Sequence, residues 1–348
     1  MTDARTTLVR PPAQNPELSA IENTLELTEL NAIGPDIFTN TRPLWHPPGA
    51  RGVYGGAVIA QCLAAAQRTV PSHFTIHSMH CYFVLAGDST IPILYHVEHV
   101  REGKSFATRT VQARQRGKCI FTTTMSFARE GSGGRETVQH AAVLPEGITP
   151  PEPDLPGSKK DGSSGPPFES QRIAILNEDG EPNAKKTRQW IRARGNISEA
   201  GGHEAHLSAL AYMSDSYFIG TISRIHNLWR FPTPGSAYAK SIEANPAAAE
   251  QMRKNKVYEG FGDDLDNRKN RPEVGMMVSL DHTIYFHEPR SLKADEWVFT
   301  EMESPWSGDG RGLVFQKMWS ADGRLIATCI QEGVVRLRQD VPPSESKL

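Results

Sequence analysis

Two short runs, one in each half of the chain, constrain its fold more than any other feature: Ile76–Val84, IHSMHCYFV, and Met276–Pro289, MMVSLDHTIYFHEP. Both are rich in β-branched and aromatic residues, and the strand-like part of each ends in Tyr-Phe, so HxxHCYF in the first half is answered by DHTIYF in the second. That composition with near-alternation predicts strands. Upstream of the first, AVIAQCLAAAQ after Gly55-Gly56 is too alanine-rich and too uniformly apolar to be a strand, and upstream of the second HEAHLSALAYMSDSYF over His203–Phe218 is its candidate counterpart. Such segments predict buried helices. Downstream, strands are predicted over Ile91–Arg101, Phe106–Arg114 and Lys118–Arg129, with a turn at Gln115-Arg116-Gly117. Their counterparts are Glu296–Glu303, Gly312–Ser320 and Arg324–Arg338, with a hairpin turn at Asp322-Gly323. One long helix held by an antiparallel sheet, made twice, is the simplest solution, an α+β fold of two tandem sheets each wrapped around a central helix. A length of 348 residues accords with two such domains.

The boundaries follow from composition. Residues 1–20 are polar and aperiodic, the pattern of a disordered terminus. The first domain spans 21–130 and opens with a helix that carries Leu25, Leu27, Leu30 and Ile33, then a Gly34-Pro35 break and an edge strand at Ile37-Phe38-Thr39. Residues 131–185, with GSGG, PPEPD and KKDGSSGPP, read as a linker in which Phe168 and Ile173-Ala174-Ile175 dock locally. The second domain spans 186–338 and contains a charged insertion at 232–274, placed to act as a lid. A polar tail at 339–348 ends the chain.

A net charge of -2 with 22% charged residues excludes a nucleic-acid surface and a solvating acidic tail. No apolar run reaches the roughly 18 residues of a membrane span. Cys62, Cys81, Cys119 and Cys329 are scattered without a CxxC pair or a secretory opening segment, so free thiols in a reducing compartment are expected. The pairs His77/His80 and His96/His99 point to opposite faces of a strand, and HEAH is one residue short of a zinc helix, so no metal and no cofactor is expected.

The two halves differ where chemistry could reside. Asp215 lies on the second helix at helical spacing from Ser208 and Ala211, whereas Ala57–Gln67 has no acid. On the last strand, Gln331 shares a face with Leu325, Ala327 and Cys329, and its first-half counterpart is Met125. A buried carboxylate or amide costs several kcal/mol unless paired, so their presence in one half only calls for a reason. In the DHTIYF strand, Ser279, Asp281 and His282 form a polar cluster. Strict alternation puts Ser279 and Asp281 opposite Val278, Leu280 and Ile284, which demands either a bulge or a site between the halves; the latter is expected.

Four motifs in order, YGGAVIAQ at 54–61, LAYMSDS at 210–216, LDHTIYFH at 280–287 and QEGVVR at 331–336, resemble those of the acyl-CoA thioesterase II family, double-hotdog enzymes. The resemblance covers roughly 20–130 and 186–338 and departs from the family at the linker and the charged insertion. It implies hydrolysis of acyl-CoA thioesters to a free acid and CoA by water held at Asp215, Ser279 and Gln331, with no covalent serine. Asp281 and His282 then brace the site, and Gly55 and Gly56 are candidate substrate-binding positions. It also implies a homo-oligomer. The terminal Ser346-Lys347-Leu348 reads as a peroxisomal import address, giving an import receptor as partner and the peroxisomal matrix as location. Two other readings stay open: a hotdog enoyl-CoA hydratase, weakened because Asp281 directly precedes His282, and a non-catalytic acyl-CoA carrier.

Overall fold

A computed structural model describes residues 11–47, 50–152, 166–231, 237–246, 249–250, 252–253 and 271–339. The terminal Ser346-Lys347-Leu348 and most of the 232–274 insertion lie outside the described residues. The first half contains helices α1 (Ala20–Leu25) and α2 (Gly55–Gln67). Its strands are β1 (Leu27–Glu29), β2 (Ile37–Asn40), β3 (Phe74–Phe83), β4 (Leu94–Glu102), β5 (Phe106–Gln115) and β6 (Lys118–Arg129). The second half contains β7 (Phe168–Leu176), β8 (Lys186–Ala193), helices α3 (Gly202–Ser214) and α4 (Gly220–Ile225), and strands β9 (Val274–Ser279) and β10 (Asp281–Phe286). It closes with β11 (Val298–Gly308), β12 (Arg311–Ser320) and β13 (Leu325–Leu337).

All the strands join one antiparallel sheet in the order β1-β2-β4-β5-β6-β3-β10-β13-β12-β11-β8-β7, with β9 paired to the other end of β13. The halves meet at β3 and β10, the two repeat strands, where Cys81 lies opposite His282 and Met79 opposite Ile284. Their equivalence carries through the ladders: Cys81 pairs with Thr123 and Thr123 with Val111, while Ile284 pairs with Cys329 and Cys329 with Gln316. Like strands therefore occupy like places, as the repeat predicts.

Helices α2 and α3 are buried on the inner face and run antiparallel against each other. The Gln67 amide at the end of α2 donates to the Glu204 carbonyl (3.3 Å) and Ser208 Oγ (3.0 Å), and Tyr54 at its start donates to the Tyr212 carbonyl (3.1 Å). Alanines at 57, 60, 65 and 66, all fully buried, let the helices approach. Leu63 and Ile59, also fully buried, each contribute about 1.5–3 kcal/mol of transfer free energy. The buried Gln61 is satisfied by Tyr95 and by the Thr24 carbonyl.

Five local expectations change. Helix α1 stops at Leu25 because Glu26 is already extended, and Leu27 pairs with Asn40 in β1. The second buried helix ends at Ser214 instead of continuing to Phe218, which leaves Asp215 as its C-cap. Met276–His287 is two strands broken at Leu280. The segment 131–185 contains β7, which pairs with β8 at the sheet edge. Leu144 and Ile148 pack on Trp190, Phe299 and Trp319, whose indole N–H donates to the Ala142 carbonyl (2.9 Å). Ser19, within the opening 1–20 stretch, is the N-cap of α1.

Candidate active site

The start of α2, the end of α3 and the middle of β13 converge. Gly55 and Gly56 are required there by space: a Cβ on Gly55 would lie 2.8 Å from Asp215 Oδ2, and one on Gly56 would lie 2.2 Å from the Tyr212 carbonyl oxygen. The Gly56 N–H donates to the Asp215 carboxylate, so the first turn of α2 points its positive end at this acid. Gln331 Nε2 donates to Asp215 Oδ1 at 2.7 Å. Burial pushes the carboxyl up to about 6, and these two hydrogen bonds only partly offset it. The side chain keeps a partial opening to solvent.

Gln331 is fully buried and its amide is oriented from behind. Its second Nε2 hydrogen faces His282 Nδ1 (3.0 Å), and His282 Nε2 faces Ser214 Oγ (3.0 Å), which itself donates to the Ala211 carbonyl (2.9 Å). Burial holds the imidazole neutral, with its pKa lowered to about 3. Since Ser214 spends its proton on Ala211, the His282 proton sits on Nε2 and Nδ1 is the acceptor. Gln331 Nε2 is thereby used twice, and Gln331 Oε1, buried, is left without a protein partner.

The tension over Ser279 resolves in the ladder. Ser279 pairs with Gly333 and Thr283 with Ile330, so four steps on one strand oppose three on the other, a β-bulge at Leu280–His282. Asp281 Oδ1 accepts from the Glu332 N–H (2.8 Å), and the Leu280 N–H donates to the Glu332 carbonyl (2.9 Å), which seals the bulge. The slip puts Ser279 on the inner face with Gly333, Gln331 and His282. The bulge that the sequence reading set second is present, and the first turn of α2, from the first half, also lies against Asp215 of the second. Ser279 Oγ has no hydrogen-bond partner among the described residues. Asp281 faces the other side of the sheet, so it and His282 brace the region separately and not as a pair.

Three residues that border this junction were not singled out from sequence as site residues: Ser214, Tyr54 and Phe168. The Tyr54, Tyr212 and Phe168 rings pack together, with centroids 4.9 Å apart for the two tyrosines and 5.9 Å for Phe168 and Tyr212. They close the helix junction beside Asp215. Among the described residues no cluster of His, Cys, Asp or Glu could hold a metal ion. His77 and His80 meet Ser126 and Thr283, and His206 Nδ1 accepts from the Ala294 N–H.

Residues 42–128 match the family description "Acyl-CoA thioesterase N-terminal domain" and residues 145–335 match "Acyl-CoA thioesterase C-terminal domain". The chain is 34% identical over 331 residues to acyl-coenzyme A thioesterase 8 of Mus musculus, covering 88% of this chain and 86% of that one. It is 26% identical over 376 residues to peroxisomal acyl-coenzyme A thioester hydrolase 1 of Saccharomyces cerevisiae, covering 91% and 95%. Among solved structures it is similar to the acyl-CoA thioesterase II TesB2 from Mycobacterium marinum, with a TM-score of 0.62, 27% identity, and coverage of 93% and 100%.

Proposed function

The chain belongs to the acyl-CoA thioesterase II family and is a thioester hydrolase, and on that premise we propose that Asp215, Ser279 and Gln331 hold and activate the water that cleaves acyl-CoA. The observation that carries this reading is the unpartnered Gln331 Oε1 beside a carboxylate pushed up to about 6. A water seated there donates one proton to Asp215 and the other to Gln331 Oε1. The Ser279 hydroxyl donates to its oxygen, which leaves a lone pair for the thioester carbonyl carbon.

As that lone pair attacks, Asp215 takes the proton. The first-turn amides of α2, Gly55 foremost, stabilise the oxyanion, usually the largest single contribution in acyl transfer. Collapse breaks the C–S bond, and the departing CoA thiolate takes the proton back from Asp215. Asp281 and His282 act as positioning residues, the first through the bulge and the second through the Gln331 amide.

We assign the activity to peroxisomal lipid metabolism, with Ser346-Lys347-Leu348 as the address; the likeness to the yeast peroxisomal hydrolase supports this. The same reading includes an assembly of at least two copies joined through the sheets. Tyr82 and Tyr285, 61% and 39% exposed, stand on the outer face where such contact would form.

The test is release of free CoA thiol from acyl-CoAs of graded length, with wild type and Asp215→Ala side by side. Turnover in the first and its collapse in the second are expected. Undiminished turnover by the variant would remove Asp215 from the chemistry, and a folded chain that binds but cleaves no acyl-CoA would favour a carrier.

A further inference from the structure

Gln316 presents a buried amide that the fold does not use. It is 1% exposed, and neither Oε1 nor Nε2 has a hydrogen-bond partner. It stands on the inner face of β12, opposite Met302 on β11 and Cys329 on β13, with Val314 and Met318 on the same face of its own strand. All four neighbours are fully buried and none can serve the amide well. In the first half the equivalent position is Val111, which pairs with Thr123 as Gln316 pairs with Cys329. The fold thus accommodates an apolar residue at this place, and the amide in the second half bears a cost that packing does not explain.

Its position is informative. Gln331 lies two residues beyond Cys329 on the same face, so Gln316 and Gln331 are diagonal neighbours, roughly 7–8 Å apart at the backbone. Ser216 reaches the same inner face from the helix side. Its carbonyl accepts from Gln189 Nε2 (3.4 Å), and its own buried hydroxyl has no partner. For Gln316 to meet an acyl chain whose carbonyl is held at Asp215 and Gln331, the tail must enter between helix and sheet along β12, where Val314 and Met318 pack today.

We propose that Gln316 is a specificity-determining residue that recognises a hydroxyl group on the acyl chain, so that hydroxyacyl-CoA thioesters are preferred substrates. A hydroxyl serves both amide atoms at once, donating to Oε1 and accepting from Nε2. A plain alkyl chain leaves both unpaired, and sites built to hydrogen-bond a hydroxyl discriminate strongly against analogues that lack it. The inference rests on the thioesterase reading of the same site.

The experiment measures kcat/KM for straight-chain acyl-CoAs and for chains of equal length hydroxylated at successive carbons, in wild type and in the near-isosteric Gln316→Met. Wild type is expected to favour one hydroxyl position by about tenfold or more. Gln316→Met is expected to abolish that preference, to keep or improve turnover of the plain chain, and to melt no lower than wild type. Equal rates on plain and hydroxylated chains in wild type, or a preference that survives in the variant, would overturn the assignment. So would a variant that melts lower and loses activity on all chains in parallel, since that marks Gln316 as a structural residue bridged by buried water. Absence of any hydrolysis by wild type would sink the thioesterase reading and this one with it, whereas hydrolysis without discrimination sinks only this one.

Discussion

Asp215 and Glu22 each meet the region where a buried helix begins, and they have opposite characters. Asp215 faces the start of α2. Glu22, delivered by α1, sits beside the turn that leads into α3, where a Cβ on Gly201 would lie 2.8 Å from Glu22 Oε1. The internal repeat makes the two places related, because each is where one central helix begins and the other ends. The end of α2 carries Arg68, turned away to the Leu27 carbonyl and the Phe38 ring, so the acid there has to come from elsewhere in the chain.

Glu22 accepts from the Ser19 N–H (2.9 Å) and hydroxyl (2.6 Å) and from the Ser198 N–H (3.2 Å) and hydroxyl (2.5 Å). Burial alone would raise its pKa, but these bonds together outweigh burial and hold it below the usual glutamate value. Asp215 has one amide N–H and one side-chain donor, burial wins, and its pKa rises to about 6. Proximity to a helix start does not distinguish a base from a structural anion. A shortage of donors does, and it leaves Asp215 with capacity for a water.

The sharpest way to break this comparison is Asp215→Asn. On the proposed mechanism, in which Asp215 is the base, kcat is expected to fall by about 10³-fold. The same substitution should stabilise the fold. An acid whose folded pKa is raised from 3.8 to about 6 costs stability as pH rises through that window, up to about 3 kcal/mol at pH 7. Asparagine removes the cost, so melting at pH 7 should shift up by several degrees and lose its pH dependence between about 4 and 6. In wild type, kcat/KM should fall about tenfold per pH unit below about 6. A flat profile down to pH 4.5 would mean that the site supplies donors not accounted for.

Next in size is Gly55→Ala, which puts a methyl 2.8 Å from both Asp215 Oδ2 and the Phe83 ring. The carboxylate must move off Gln331, and kcat is expected to fall about 10²-fold, since small misplacements at a reacting centre have effects of that order. The fold should lose about 1–3 kcal/mol from overpacking. Unchanged kcat with lowered stability would show that the glycine serves packing alone.

Much of this was legible in the sequence because the repeat supplied an internal control. Asp215 and Gln331 stood out against a helix without acid and against Met125, and the helix-and-sheet plan followed from the Tyr-Phe strands. What stayed hidden is what periodicity cannot encode. A one-residue slip at Leu280–His282 exchanges the faces of a strand; the misplaced Ser279 offered such a bulge as one of two solutions, and the alternation of Val278, Leu280 and Ile284 could not choose between them. The partnership of Ser214 and His282 joins residues far apart in sequence. The docking of Phe168 and Ile173-Ala174-Ile175 was read from the sequence, but that they form strand β7 paired to β8 was obscured by proline- and glycine-rich neighbours.

Glu22→Gln tests the other side of the comparison. An amide turns a donor toward serine donors, so a loss of about 1–3 kcal/mol at pH 7 is expected. Because the folded pKa is lowered, that stability is fully present above the unfolded value near 4.5 and is lost as pH falls from there through the lower folded value, so wild type and variant should converge in acid. Turnover should stay within a few-fold of wild type. A collapse of kcat would mean that the two helix junctions are mechanically coupled.

The smallest effect on catalysis among the changes at the site itself should come from Ser214→Ala, and it bears on how Gln331 keeps its oxygen free. Without the Ser214 acceptor, nothing holds the His282 proton on Nε2. A proton on Nδ1 would meet a Gln331 N–H, donor against donor, which the amide relieves by turning Oε1 toward the imidazole. The free acceptor for water is then lost although Asp215, Ser279 and Gln331 are all still in place. A fall in kcat of about tenfold with KM unchanged is expected, with the acid limb near pH 6 retained because Asp215 itself is untouched. Ser214→Thr keeps the hydroxyl and should restore most of the rate. Nitrogen-15 shifts of His282 give the direct readout: an Nε2-protonated ring in wild type and a tautomer mixture in the alanine variant. If the ring stays Nε2-protonated while kcat falls, the serine acts through packing at the end of α3 and not through the amide.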